Sequence, residues 1–435
     1  MSLTRQGYKP RLMDERLKLY LNAFGTVCVE GPKSCGKTWF CYNGAESVFL
    51  MADPTNNFQN RRLADVDLSA VFKGEQPHLI DEWQEVPEIW DAAKLMVDEG
   101  NKKGMFILTG SSTPRKKGIM HSGAGRIGSM RLRTMSLYES GDSDGSVSLL
   151  DLFNTGIDTK LTGEMELSRL VYLTVRGGWP NLLGMSIKAA SVAMRGYVDL
   201  IIEDAATLDG IMRDRTKMRM ALRSLARNES TLASLSTISS DMTDSEKKDG
   251  DAFKAEKIAT DKTVADYIDV FDRLFLISNQ TAYSPNIKSP LRVGKTPKRH
   301  LIDPALSLAA LGVDPERLCM DTDVFGYYFE ALCERDLAIY AEYIGGKLYH
   351  YRDHSDHEVD AIVELPDGRF GAFEIKLGAK EIDDAANNLL DIVEMWRRNG
   401  AKTLPTVLCV ICGMTNAAYR RPDGVYVVPI TSLRP

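Results

Sequence analysis

The most specific chemistry in the chain is carried by Gly31-Pro32-Lys33-Ser34-Cys35-Gly36-Lys37-Thr38. These residues fit G-x-x-x-x-G-K-[ST], a loop whose backbone N–H groups wrap around phosphate oxygens. Glycine lets the backbone bend there without a side chain in the way. Lys37 has the reach for β- and γ-phosphates, and the Thr38 hydroxyl suits Mg²⁺. The apolar run at 26–29 and the segment 39–42 supply the strand before and the helix after that such a loop requires. A helix starting at this point turns its positive end toward the anion. The bland alternative is a Gly-containing turn with a surface lysine, and the strand–loop–helix order argues against it. The expected ligands are ATP and ADP, with Mg²⁺.

A second group sits at His78-Leu79-Ile80-Asp81-Glu82, an apolar run ending in two acids. Asp81 is placed to hold Mg²⁺, mostly through water. Glu82, one residue on, would polarise the attacking water as general base. A second acid aimed at water suits hydrolysis, whereas a small-molecule kinase has no use for one. The run Met105-Phe106-Ile107-Leu108-Thr109 reads as another buried strand, ending in Gly110-Ser111-Ser112. Ser111 and Thr109 are candidates to sense the γ-phosphate, with ordinary turn chemistry as the rival reading. Arg126, in the Gly-rich stretch 122–128, is the candidate arginine for transition-state charge; a solvated arginine is the commoner case.

A third group lies near the other end of the chain. Residues 357–363 read as a strand, Pro366-Asp367-Gly368 turns the chain, and residues 369–377 return. Residues two apart on a strand share a face. Glu374 and Lys376 therefore project together, and such a hairpin can bring Asp360 beside them. Two carboxylates bind Mg²⁺ and a neighbouring lysine orients or deprotonates water, which is apparatus for cutting a phosphodiester. A salt-bridged hairpin edge, with Lys376 simply pairing Glu374, is the structural alternative.

The elements that must hold these groups follow from composition and period. The chain has 435 residues, 44% hydrophobic and 26% charged, with a net charge of −6. This suits packed globular domains and argues against wholesale coating of nucleic acid, though not against a local basic patch. No stretch approaches the roughly 20 apolar residues of a membrane span. The first ten residues lack a signal-peptide core. The seven cysteines are odd in number and scattered, which favours a reducing cytoplasm. Cys409 and Cys412 form a C-x-x-C inside an apolar run and read as buried strand. Residues 241–262 are dense in charge and predict a mobile excursion. Thr263 is the expected cap of a helix with Val264, Tyr267, Ile268, Phe271 and Leu274 on one stripe. Residues 286–300 carry Lys288, Arg292, Lys295, Lys298 and Arg299 and no acid, which predicts a basic hairpin able to touch phosphates. Short helices followed by a basic hairpin suggest a winged helix. Contact with DNA and packing within the molecule both fit those residues.

The phosphate loop, Leu79-Ile80-Asp81-Glu82, Ile107-Leu108-Thr109-Gly110-Ser111-Ser112, and Gly125-Arg126 followed by Ser136-Leu137-Tyr138-Glu139 together resemble the bacterial and archaeal AAA-type ATPases that carry a C-terminal domain of unknown function. The resemblance covers nearly the whole chain. It implies an α/β P-loop NTPase at 1–165, with a parallel sheet that inserts a strand between the phosphate-loop strand and the Mg²⁺ strand. It implies a helical lid and winged-helix-like α+β region at 166–312, and an α/β domain at 313–435 similar to the PD-(D/E)xK nuclease fold. In that fold Asp360 is the first acid, Glu374 and Lys376 the E-x-K pair, and Glu330 the helix acid. Val359 departs from the pattern, which often has proline there. Self-association fits too, because AAA-type sites often borrow an arginine from a neighbour. The expected partner beyond nucleotide is DNA, bound at 286–300 and at the nuclease-like end.

Overall fold

The computed structural model describes residues 7–435 apart from 114–118, 245–255, 287, 290–291, 293–295, 354 and 356. Lys295 and half of the excursion predicted at 241–262 lie outside the described residues.

The helix α1 (Asp14–Ala23) leads into a five-stranded parallel sheet. Its strands are β1 (Thr26–Glu30), β2 (Ser47–Leu50), β3 (His78–Asp81), β4 (Phe106–Gly110) and β5 (Ile127–Arg131), in the order β2-β3-β4-β1-β5. The strand β4 lies between β1 and β3, the inserted strand the resemblance implied. Both faces of the sheet are covered. Val27, Val29, Leu79 and Ile107 pack with Phe40 on one side, while Cys28, Ile80, Phe106 and Leu108 pack with Trp83 on the other. That is why these strands read as unbroken apolar runs instead of alternating. Parallel strands also align their C-terminal ends, so residues 31–38, Asp81, Glu82 and Ser111 emerge along one rim.

The middle of the chain is mostly helical: Leu167–Arg176, Ile187–Thr207, Arg215–Arg227, Leu235–Asp241 and Asp261–Arg273. The cap of the last helix is Thr260, not Thr263: its side chain accepts from the Thr263 N–H. The β-bridges Thr231–Arg299, Ile277–Leu301 and Gln280–Lys298 tie the strand-like pieces together.

The last region is an eight-stranded mixed sheet. Its centre is formed by Glu358–Glu364, Phe370–Gly378 and Val407–Met414. Helix Thr322–Tyr343 covers one face through Phe329 and Leu332. Helix Ile382–Arg398 covers the other through Leu389, Ile392 and Trp396. Cys409 and Cys412 are buried in the strand Val407–Met414, as their apolar setting predicts. Lys160–Leu161 pairs with Ala417–Arg420, and Leu433–Arg434 with Val147–Ser148. Lys160–Leu161 is thus the edge of this last sheet, while Val147–Ser148 forms a separate two-stranded sheet with Leu433–Arg434.

Asp303 joins all three regions. Its fully buried carboxylate accepts from Thr134 Oγ1 at 2.8 Å, the Gly178 N–H at 3.0 Å and Arg335 Nη1 at 2.8 Å. Arg335 also grips Asp336, whose Oδ2 accepts the Leu137 N–H at 2.8 Å.

Candidate functional site

The phosphate loop bends through positive φ at Ser34 (60°) and Gly36 (100°), and α2 (Lys37–Asn43) starts at once. Alternating backbone of this kind turns N–H groups into one concavity. Lys37 is buried and its Nζ donates to the Gly31 and Pro32 carbonyls at 2.9 Å each. Thr38 Oγ1 donates to Asp81 Oδ1 at 2.9 Å, and Thr109 Oγ1 donates to the same oxygen at 2.6 Å. Burial raises the Asp81 carboxyl above its ordinary range, and the Thr109 bond opposes that. A cation next to this carboxylate would relieve its burial, so the donor set fits Mg²⁺.

Glu82 stands at φ 58°, turned out of β3. Its backbone N–H donates to Thr109 Oγ1 at 3.0 Å, and its Oε2 accepts from Ser111 Oγ at 2.8 Å and from Gln84 Nε2. Ser111 therefore reaches the Glu82 carboxylate. Gln84 was missed by sequence reasoning; its only signal was its place two residues after the acid.

Three further residues brace the loop and had no local signature. Arg11 Nη1 donates to the Cys35 carbonyl at 3.1 Å and Nη2 to the Arg133 carbonyl at 2.8 Å, while Nε pairs with Glu139 at 3.0 Å. Trp179 Nε1 and Tyr197 OH both donate to the Lys33 carbonyl, at 3.2 and 3.1 Å. Pro180 packs so closely that a Cβ at Gly36 would lie 3.3 Å from its Cγ. The segment Gly177-Gly178-Trp179-Pro180, which follows the helix Leu167–Arg176, is thus the point where the helical region meets the loop.

Arg126 is a correction. Its carbonyl accepts from Thr26 N–H at 3.1 Å, at the start of β1, and its Nε pairs with Asp98 at 2.6 Å. The phosphate loop begins at the other end of β1, about 13 Å away at about 3.3 Å per residue. Within one chain Arg126 does not join the loop.

The second cluster forms on the last sheet. Ala361 pairs with Phe373, so Asp360 and Glu374 stand side by side on neighbouring strands. Lys376 Nζ lies 2.8 Å from Glu374 Oε2 and 3.4 Å from Asp360 Oδ2, so it bridges them. Asp360 Oδ2 also accepts the Ile375 N–H at 2.8 Å, and Asn388 Nδ2 donates to Glu374 at 3.1 Å. Glu330 joins from the helix Thr322–Tyr343, but its partner is Lys298. Lys298 is buried, pairs with Glu334 at 2.9 Å, and reaches the Asp360 carbonyl at 3.4 Å. Burial, then Asp360, pushes the Glu374 carboxyl up to about 8, and burial raises Glu330 well above its ordinary range. Burial also pulls the Lys298 ammonium down, but Glu330, Glu334 and Asp360 outweigh it and hold it raised.

Two expectations change here. Among the described residues, no three His, Cys, Asp or Glu side chains are placed to hold a metal ion. Asp360, Glu374 and Glu330 do gather, but ammonium groups fill the gaps between them. The basic segment 286–300 also faces inward: Arg292 is bidentate to Glu364 at 3.0 and 2.8 Å, and Arg299 is buried with Nε on the Ala233 carbonyl at 3.0 Å. Of its described basic residues only Lys288 is exposed. The sequence showed the charge of Lys298, Arg299 and Arg292 but not the acids that await them.

A parallel five-stranded sheet, a phosphate loop after β1 and paired acids after β3 define a P-loop nucleotide hydrolase. The AAA family match agrees. An AAA domain family matches residues 23–140, and two domains of unknown function, DUF8612 and DUF4143, match residues 167–317 and 325–433. Uncharacterized proteins of Mycobacterium bovis and Mycobacterium tuberculosis are each 26% identical over 370 residues, covering 83% of this chain and 72% of theirs. A Walker-type ATPase of Pyrococcus abyssi is 13% identical, covers 70% of this chain and 97% of its own, and superposes with a TM-score of 0.44. The Orc1 protein of Aeropyrum pernix, solved in complex with DNA, is 15% identical over 70% of this chain and 93% of its own, with a TM-score of 0.25. The chain therefore carries an AAA-type P-loop ATPase domain and is a nucleotide-binding protein. Among the described residues no helix is long and apolar enough to cross a membrane.

Proposed function

We propose that this chain is a nucleotide-switched binding protein, an ATPase whose nuclease-like end engages a partner without cutting DNA. In this reading the backbone at Gly31, Pro32, Ser34, Cys35 and Gly36 cradles the phosphates and Lys37 binds their charge. Thr38 and Asp81 hold Mg²⁺, which neutralises developing charge on the phosphates. Glu82 orients and deprotonates water, and Ser111 holds Glu82 in position. The braces from Trp179 and Tyr197 to Lys33 supply a mechanical route from the loop to the helical region.

The observation that carries the non-cutting reading is Lys298, seated between Glu330 and Glu334 where a PD-(D/E)xK site needs room for a metal. The winged-helix reading of the middle is supported by element order: helix Arg215–Arg227, the Thr231 bridge, helix Leu235–Asp241, helix Asp261–Arg273, then the bridged pieces at 277–280 and 298–301. Helix Asp261–Arg273 exposes Asp261, Asp266, Asp269 and Asp272 beside Lys262, with Asp266 paired to Arg213 at 3.1 Å. Phosphate repels such a face, so a protein partner suits it better than DNA.

Incubating the protein with Mg²⁺, ATP and supercoiled plasmid, beside an Asp360→Ala control, tests the proposal. The expected result is ATP turnover with intact plasmid. Nicking that disappears in the control would replace this reading with an ATP-gated nuclease acting through Asp360, Glu374 and Lys376.

A further inference from the structure

A cavity away from the phosphate loop is lined by described residues of all three regions. It measures about 1030 Å³ and lies where the three regions meet, walled by α1, by the end of β5, by residues 278–281 and 300–302, and by the end of the helix Thr322–Tyr343. That volume is at the upper end of small-molecule sites.

Its chemistry is uneven. Leu12, Leu19 and Ile344 give it apolar walls. Against these stand Arg131, the last residue of β5, and Arg133, two residues beyond it, which line the same cavity. Arg131 Nη2 donates to the Ile277 carbonyl at 2.8 Å and Arg133 Nη1 to Ser278 Oγ at 2.5 Å. The Nε of each arginine is buried without a hydrogen-bond partner. Glu342 stands 3.8 Å from Arg133 Nε, beyond hydrogen-bond reach. Burial, then the charge of Arg133, lowers Arg131 to about 10. Burial lowers Arg133 too, although Glu342 opposes it. Gln280 completes the set: it is 5% exposed, lines the same cavity, and neither its amide nitrogen nor its amide oxygen has a partner. A buried amide left wholly unsatisfied is unusual, because each orphaned donor or acceptor is destabilising.

We infer that this cavity is a second ligand site, taking a phosphate-bearing small molecule of about nucleotide size, with its phosphate on Arg131 and Arg133 and a donor–acceptor edge on Gln280. Guanidinium groups match phosphate oxygens with directed N–H bonds, and the Nε of each arginine has one left to give. An amide offers one donor side and one acceptor side, the complement of a nucleobase edge. Leu132 lies between the arginines and faces the other way. Its N–H donates to Glu30 at 2.7 Å, and its carbonyl accepts from Cys35 Sγ at 3.6 Å. A ligand held by the two arginines thus sits one residue from the backbone that underlies the phosphate loop.

The test uses the full chain carrying Lys37→Ala, which removes the principal phosphate contact of the loop. Inorganic pyrophosphate and AMP are titrated by calorimetry up to millimolar concentration. The expected result is that at least one of them binds at one equivalent, and that Arg133→Gln or Gln280→Leu weakens this binding tenfold or more. Arg133→Lys keeps the charge but loses the fork, and should weaken binding by less than Arg133→Gln. Thermal melts identify any variant that fails to fold, and Gln280→Leu, which keeps the bulk and removes only polar atoms, then decides. Binding of neither probe, or binding indifferent to both Arg133→Gln and Gln280→Leu, overturns the assignment and leaves the cavity to water.

Discussion

Lys298→Met keeps the length of the side chain and removes its charge, which makes it the sharpest probe of the acid cluster. The substitution leaves Glu330 and Glu334 without the ammonium between them, while Lys376 still stands beside Asp360. Removing one partner of a buried ion pair costs about 3–5 kcal/mol. The variant can recover part of that by taking up protons, so the loss must depend on pH. The Glu330 carboxyl is already raised in the folded chain, and losing Lys298 raises it further. The folded variant then holds a proton that the unfolded chain releases near its ordinary carboxyl range. Stability contributed in this way is fully present at low pH and is lost as pH rises, by about 1.36 kcal/mol per pH unit for each extra proton held. Urea unfolding at pH 5, 6.5 and 8 should therefore show a loss of about 3–5 kcal/mol at pH 8 that shrinks to about 1 kcal/mol by pH 5. Added Mg²⁺ should raise the stability of the variant at pH 8 by more than that of the parent chain, because only the variant has room for a cation at this cluster. An equal loss at pH 5 and pH 8, or no loss at all, would refute the claim that Lys298 neutralises this cluster.

Lys37→Ala should abolish ATP turnover by weakening nucleotide binding. Glu82→Gln should keep binding while slowing hydrolysis by about 10²–10⁴-fold, the range for a general base, as read by phosphate release and fluorescent-nucleotide titration. Arg126→Ala should leave ATP turnover within about twofold, since Arg126 stands at the far end of β1; a large drop would mean that it acts on a neighbouring copy. Asp303→Ala strips one acceptor from Thr134, Gly178 and Arg335 together, and should lower stability by about 3–5 kcal/mol in urea unfolding. Glu374, pushed up to about 8, is destabilising as it ionises, so parent stability should fall between pH 5 and pH 8 and Glu374→Gln should flatten that slope.

The phosphate loop and the acids after β3 were legible because each is a local device. A loop needs glycines at fixed spacing, and a carboxylate at the end of an apolar strand advertises itself. The hairpin holding Asp360, Glu374 and Lys376 was legible for the same reason, since strand alternation and a turn decide which side chains meet. Arg126 was misread because an arginine in a Gly-rich stretch gives no sign of which end of the sheet it occupies. Asp98, 28 residues earlier on the helix Ile89–Gly100, claims it.

What the sequence determined by itself is therefore the set of short-range machines: a loop for phosphates, two acids beside it, an E-x-K hairpin. What only the tertiary structure decided is how their charges are spent. Lys298 reads as a surface cation along the chain and proves to be the counter-ion of Glu330 and Glu334. Arg131 and Arg133, only two residues apart in the chain, prove to line a cavity between regions. The physical reason is that burying a charge is tolerable only beside its opposite, and the opposite is supplied by whichever distant segment the fold brings near.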